Sequence, residues 1–123
     1  MTDLRTTVRS TPTGPVLEIA GDLDFHSAPG AREVLLGLTP GPGRLLVVDL
    51  TGLTFCDSTG ITLLLAARNH AVGHQAHIAL AGVPAQVARI FDITGLSQVF
   101  ASYPTAEDAV DRWAARTDSR PAP

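Results

Sequence analysis

Residues 56–60, CDSTG, place a carboxylate, two hydroxyls and a glycine between two apolar runs. The run before them is typical of a buried strand and the run after them of a helix, so this stretch predicts a helix start. A helix start offers unpaired backbone N–H groups and roughly half a positive charge. A hydroxyl there is well placed to carry a phosphoryl group, whose added charge of about −1.5 to −2 would be stabilised.

Helix capping explains some of the same residues without any chemistry. Asp57 or Ser58 could accept a hydrogen bond from the first free N–H groups of the helix. Gly60 is harder to explain in this way, because glycine in a helical turn costs about 1 kcal/mol relative to alanine. We therefore expect Gly60 to leave room for a bulky neighbour, such as a partner surface or a phosphate donor.

Hydrolysis by Ser58 fits the sequence less well than phosphorylation. A serine hydrolase of this type needs a G-x-S-x-G turn, together with a histidine and an acid beside the nucleophile. Cys56 stands where the first glycine would be, and none of the four histidines is adjacent to Ser58 in the sequence. We expect a protein without catalytic residues, and therefore not an enzyme.

The remaining reactive side chains do not predict a metal or cofactor site. His70, His74 and His77 have a spacing that could hold zinc on a helix, but Gly73 is expected to end that helix between them. We expect solvated surface histidines and no metal. Cys56 ends a buried segment, which favours an inert thiol over a redox sensor. The glycines of the loop at 39–44 match no phosphate-binding pattern, so we expect no cofactor.

The order of secondary-structure patterns predicts the fold that positions the CDSTG stretch. Strands alternate with helices, which indicates a mostly parallel sheet with helical cover. Ser27 can cap the first helix, which includes Val34, Leu35 and Leu38. Strands are predicted at 4–9, 15–20, 45–50, 77–83 and 97–100, a connection at 51–55, and the other helices from Ser58 or Thr59 to 71, at 84–94 and at 105–116.

Composition narrows the class of protein further. The 123 residues suit one domain, which we place at 1–116 with a flexible tail at 117–123. A net charge of −3 argues against nucleic-acid binding. No apolar stretch reaches the roughly 18–20 residues that a membrane-spanning helix needs. The N-terminal residues lack the apolar core of a signal peptide. The single cysteine cannot form an internal disulfide, which fits a reducing compartment. We expect a cytoplasmic protein with no membrane or nucleic-acid partner.

Three stretches together resemble a known family, the STAS-domain anti-sigma factor antagonists of bacteria. They are GDLDFHSA at 21–28, VVDLTGLTFCDSTGITLLL at 47–65 and FDITGLSQVF at 91–100. Their order and spacing match the family, and the resemblance spans roughly residues 5–116. It implies an α/β fold of STAS type, with a central mixed, mostly parallel β-sheet and about four α-helices.

The resemblance also implies a phosphorylation switch. The unphosphorylated antagonist binds an anti-sigma factor that is also a serine kinase, and this releases a sigma factor. Phosphorylation of the residue matching Ser58 switches binding off, and a metal-dependent serine phosphatase restores it. Asp57 would orient the hydroxyl or contact the kinase. The partner-binding positions implied are Asp22, Asp24, Asp57, Thr59 and Gly60.

Two features qualify this interpretation. Thr62 stands where many family members have a small residue, which slightly changes the docking face. A different class of function is also open, namely a scaffold or accessory STAS protein of a sensory assembly or transport complex, without phosphorylation. The intact motif at 57–60 favours the switch, because a scaffold has no need of the hydroxyl.

Overall fold

The computed structural model describes residues 3–118, with side chains described through residue 115. It contains one six-stranded sheet and four α-helices. The strands are β1 (Arg5–Thr11), β2 (Gly14–Leu23), β3 (Leu45–Asp49), β4 (Leu53–Cys56), β5 (His77–Ala81) and β6 (Ala101–Tyr103). The helices are α1 (Ala28–Leu36), α2 (Ser58–Gly73), α3 (Ala85–Thr94) and α4 (Ala106–Asp118), with a 3₁₀ turn at Leu96–Gln98.

The sheet is mixed and mostly parallel, as the sequence predicted. Its strand order is β1-β2-β3-β5-β6, and β4 pairs with the far end of β2. The pair β1–β2 is antiparallel because a two-residue turn joins these strands. The other pairs are parallel. Because parallel strands end at one edge, β2, β4 and the start of α2 meet there.

Both faces of the sheet are covered, so the central strands are apolar on both sides. Leu46 and Val48 of β3 belong to the core beneath α1, α2 and α3. Val47, the residue between them, belongs to a smaller core beneath α4. This explains why β3 reads as a continuous apolar run. Trp113 is half-buried and packs against the smaller core.

The predicted connection at 51–55 is wrong, because most of it forms strand β4. Leu53–Cys56 pairs in parallel with the end of β2, and the pairing shifts register between Gly21 and Asp22. β2 is correspondingly longer than predicted, since it continues to Leu23. This extension holds the start of α2 against the sheet.

The predicted strand at 97–100 is also misplaced. Gly95 takes a left-handed conformation with φ of 81° and ends α3, and a 3₁₀ turn follows at Leu96–Gln98. Phe100 is buried and stacks on Phe91 at 5.6 Å between ring centroids. The strand therefore begins only at residue 101, after this aromatic contact.

The helices lie close to their predicted positions. α1 ends at Leu36, so Leu38 lies beyond it. Thr105 caps α4 by accepting a hydrogen bond from the Asp108 N–H at 3.0 Å. Of the predicted tail, residues 117–118 continue α4 and residues 119–123 lie outside the described residues.

Within residues 3–118, no helix combines the length and apolar character needed to cross a bilayer.

Candidate functional site

The start of α2 is held by Asp57, the residue between β4 and the helix. Its backbone is extended, with φ −100° and ψ −170°. Its Oδ1 accepts hydrogen bonds from the N–H of Thr59 at 2.9 Å and of Gly60 at 3.2 Å. Asp57, rather than Ser58, is therefore the N-cap. Caps of this kind stabilise a helix by about 1 kcal/mol.

Ser58 is the first residue of α2 and is exposed. Its carbonyl oxygen accepts a hydrogen bond from Thr62 Oγ1 at 3.0 Å, one turn further along the helix. The cap bonds belong to Asp57, so the Ser58 hydroxyl is not part of the cap. The site thus presents an accessible hydroxyl on a helix start that another side chain holds in place.

Gly60 is buried, and the structure gives an internal reason for the glycine. A Cβ atom there would lie 2.5 Å from Cys56 Sγ and 3.0 Å from Leu23 Cγ. The expectation that Gly60 leaves room for a partner is therefore wrong, because Leu23 and Cys56 fill that space. The close packing seats the first turn of α2 on the ends of β2 and β4.

Asp22 and Asp24 lie at the same edge as Asp57. The residue between them, Leu23, pairs with Cys56, and its carbonyl accepts a hydrogen bond from the Asp57 N–H at 3.3 Å. Asp22 Oδ1 accepts a hydrogen bond from Thr54 Oγ1 at 2.7 Å, which ties β2 to β4. The structure therefore brings the acidic residues predicted from sequence to the ends of neighbouring strands.

Asp24 organises the loop that leads into α1. Its Oδ1 accepts hydrogen bonds from the N–H of Ser27 at 3.0 Å and of His26 at 2.9 Å. The Ser27 bond, supported by that of His26, holds the pKa of Asp24 below its ordinary value despite some desolvation. Asp24 therefore carries a full negative charge at neutral pH.

Ser27 has a different role from the one predicted. It occupies the N-cap position of α1, but its side chain makes no capping hydrogen bond. Its hydroxyl instead donates to the Asp22 carbonyl at 2.7 Å and accepts from the Asp24 N–H at 3.0 Å. The hydroxyl is turned back towards the loop, so it joins the end of β2 rather than the helix.

Two exposed phenylalanines at this edge were missed by sequence reasoning. Phe25 is 73% exposed and Phe55 is 47% exposed. The apolar run at 61–67 that follows the motif does not supply an exposed fringe through Ile61 and Leu65, because these two residues pack against the core. A phenylalanine between two polar residues in a loop, such as Phe25, was the available signal.

Cys56 and the histidines considered for zinc binding lie in packed or hydrogen-bonded surroundings. Burial, reinforced by the neighbouring Asp57 charge, raises the pKa of Cys56 to about 11, as befits an inert thiol. His70 Nε2–H donates to the Leu38 carbonyl at 2.6 Å, and His74 Nδ1–H donates to the His70 carbonyl at 3.0 Å. These two histidines are thus half-buried rather than solvated. Across residues 3–118, no three metal-binding side chains are grouped.

Comparison with known proteins places this geometry in a family. The STAS domain matches residues 5–109. An "Anti-sigma-B factor antagonist" of Listeria monocytogenes is 33% identical over 81 residues, which cover 66% of this chain and 71% of the relative. The crystal structure of an anti-sigma factor antagonist from Mycobacterium paratuberculosis has a TM-score of 0.78 at 24% identity, covering 91% of this chain and 95% of that one.

A third similar protein has been solved in two chemical states. It is SpoIIAA of Bacillus, 21% identical to this chain in both structures. The unphosphorylated form has a TM-score of 0.71 and the phosphorylated form 0.67, and each match covers 88% of this chain and 95% or more of the other. These structures share the fold described above. Since the matched domain spans most of the sequence, the chain belongs to the STAS-domain family and is similar to its anti-sigma factor antagonists.

Proposed function

We propose that the protein is an anti-sigma factor antagonist whose binding to an anti-sigma factor serine kinase is switched off by phosphorylation of Ser58. The observation that carries the proposal is the exposed Ser58 hydroxyl on a helix start that Asp57 caps. The name of the Listeria relative and the two forms of SpoIIAA support it. A metal-dependent serine phosphatase would complete the cycle, and ATP use by the kinase fits a cytoplasmic location.

The phosphoryl transfer needs little from this chain beyond a well-placed oxygen. Ser58 Oγ attacks the γ-phosphorus of ATP held by the kinase, the bond to the β-phosphate breaks, and ADP leaves. The proton of the hydroxyl passes to a base of the kinase, which also supplies Mg²⁺ and the phosphate-binding groups. The antagonist itself is a substrate and a binding protein, without catalysis of its own.

The structure offers a physical reason why this modification would change binding and not folding. The cap is made by Asp57 and the packing by Gly60, so neither depends on the Ser58 hydroxyl. A phosphate on Ser58 would lie in the same turn as the Asp57 carboxylate. A partner that packs against a neutral hydroxyl would then have to desolvate a dianion, at a cost of several kcal/mol. Each 1.4 kcal/mol weakens binding tenfold.

The other predicted residues take more specific roles in this proposal. Asp57 is a positioning residue, because its carboxylate holds the backbone of the first helical turn. Thr59 is half-buried and contributes its exposed part to the docking face, together with Asp22 and Asp24. Gly60 acts through internal packing rather than by contact with the partner.

The test combines phosphate mapping with binding by two Ser58 variants. Each anti-sigma factor kinase encoded in the source genome is incubated with the protein and Mg-ATP, and peptide mass mapping should find one phosphate, on Ser58. Ser58→Ala should bind that kinase constitutively, and Ser58→Glu should bind at least tenfold more weakly.

Ser97→Glu is the matched control, because it adds the same charge at an exposed serine in the 3₁₀ turn. It should bind like the unmodified protein. Equal binding by Ser58→Ala and Ser58→Glu, with no phosphate on Ser58, would reject the switch and favour the scaffold function.

A further inference from the structure

We propose that Phe25 and Phe55 are the aromatic anchors by which the protein binds its kinase. They belong to the surface around the start of α2, called here the Ser58 face, which also includes Asp24 and Asp57. The kinase would offer apolar pockets bordered by basic side chains. This inference rests on the proposed function, since the segments that carry both rings meet at the start of α2, where Ser58 lies. It adds residues outside the 57–60 motif and a stated chemistry for the partner surface.

The four phenylalanines of the chain divide into two pairs. Phe91 and Phe100 are buried and stack on each other in the core. Phe25 and Phe55 are largely exposed, although burying a phenylalanine is worth about 1.5–3 kcal/mol. Phe25 contacts the neighbouring His26 ring edge-on at 5.7 Å between centroids, and the residue remains 73% exposed. Aromatic residues are enriched in protein–protein interfaces, where a few anchor residues provide most of the binding energy.

The two rings flank the junction that seats α2. Leu23 and Cys56 are register partners, and the Leu23 carbonyl accepts the Asp57 N–H. Phe25 comes two residues after Leu23, and Phe55 comes one residue before Cys56. Both phenylalanines therefore belong to the backbone segments that meet at the start of α2. A partner that covers this junction together with the Ser58 hydroxyl would contact both segments.

The charge around the rings selects the chemistry of the partner. The carboxylates of Asp24 and Asp57 accept hydrogen bonds from backbone N–H groups, which leaves their negative charge in place. A face with two carboxylates and exposed aromatic rings is complementary to apolar pockets with Arg or Lys at the rim. A second copy of this chain would set carboxylates against carboxylates, and an anionic membrane would be repelled. The partner expected on this face is therefore a protein with a basic surface.

The first experiment measures affinity of full-length variants for the kinase that phosphorylates Ser58, by calorimetry in the presence of Mg-ADP. Phe25→Ala and Phe55→Ala should each bind at least tenfold more weakly than the wild type. Val72→Ala is the control, since Val72 is 56% exposed and lies about 20 Å along α2 from Ser58 at 1.5 Å per residue. It should change affinity less than twofold, and thermal unfolding should show all three variants folded.

The second experiment measures the association rate of Asp24→Asn at several salt concentrations. The amide oxygen of asparagine can still accept the hydrogen bonds from His26 and Ser27, so the loop keeps its conformation, at some loss of stability, while the charge is removed. Association should slow several-fold at low salt, and its salt dependence should flatten. An unchanged salt dependence would contradict the inference that basic side chains border the pockets of the partner.

The outcomes separate this inference from the function on which it rests. If Ser58 is phosphorylated but both phenylalanine variants bind within twofold of the wild type, the anchors are rejected and the switch stands. If no kinase modifies Ser58, both proposals fall. Dimerisation of the isolated chain that Phe25→Ala abolishes would show that a second copy occupies the face, and would overturn the assignment of a basic partner.

Discussion

Helices α1 and α2 begin at the same edge of the sheet, each beside a serine and each with a glycine as its third residue. At α1 the Ser27 hydroxyl makes two hydrogen bonds to the β2 loop, whereas at α2 the Asp57 carboxylate makes the cap and Ser58 stays exposed. For the glycines the order is reversed, because the one in α2 is enclosed by its neighbours and the one in α1 is not. Gly60 is packed against Leu23 and Cys56, while a Cβ on Gly30 would meet nothing within 4 Å.

This difference separates a serine that the fold uses from a serine that it leaves available. A charged group on Ser27 would break the loop, while one on Ser58 would alter only the surface. Asp57 and Gly60 hold the α2 start without the Ser58 hydroxyl, which leaves that hydroxyl available for the proposed phosphorylation.

Alanine at the two third-position glycines should give the largest contrast. Gly60→Ala should destabilise the protein by about 2 kcal/mol, because the new Cβ would overpack against Cys56 and Leu23. Gly30→Ala should stabilise it by about 0.5–1 kcal/mol, because alanine is the better helix residue and has open space there. Urea denaturation followed by circular dichroism measures both. Effects of the same sign would contradict the assignment of Gly60 to tight packing and of Gly30 to open space.

Alanine at the two serines should give a smaller contrast. Ser27→Ala should cost about 1–2 kcal/mol, because two part-buried hydrogen bonds are lost. Ser58→Ala should change the free energy of unfolding by less than about 0.5 kcal/mol, as is usual for exposed positions. Matched thermal and urea unfolding curves provide the measurement. A loss at Ser58 as large as that at Ser27 would mean that the fold depends on both hydroxyls.

Acid should weaken the α1 start through Asp24, the smallest of these effects. The folded pKa of Asp24 lies below the ordinary value of 3.8, so its carboxylate adds stability above that pH. The contribution is lost as the pH falls through the folded pKa. Melting temperatures of the wild type and Asp24→Asn should therefore differ at pH 7 and converge towards pH 2.5. A constant difference over this range would show that the Asp24 charge does not hold the loop.

Local patterns were sufficient to predict the helix boundaries around the candidate site. The D-S-T-G sequence between a strand and a helix placed the start of α2, and the helix predicted at 84–94 ends at the observed residue, Thr94. Capping depends on neighbours a few residues away, so these features can be read from short stretches. The mixed sheet followed in the same way from the order of strand and helix patterns.

Features that depend on distant partners could not be read in this way. Strand β4 looks like a loop in sequence, and it becomes a strand only by pairing with the extended end of β2. The burial of Gly60 depends on Leu23, which lies 37 positions earlier in the numbering of the chain. Ser27 matches a capping pattern, but the Asp22 carbonyl competes successfully for its hydroxyl. The exposure of Phe25 likewise depends on where β2 ends.

The position of Cys56 gives the protein a built-in reporter. Its sulfur lies against Gly60 at the strand–helix junction, and its high pKa keeps it protonated at neutral pH. Alkylating reagents attack the thiolate, so labelling should be slow unless the junction opens. As the chain has a single cysteine, labelling rates can test whether the proposed phosphorylation of Ser58 changes the opening of this junction, without an introduced probe.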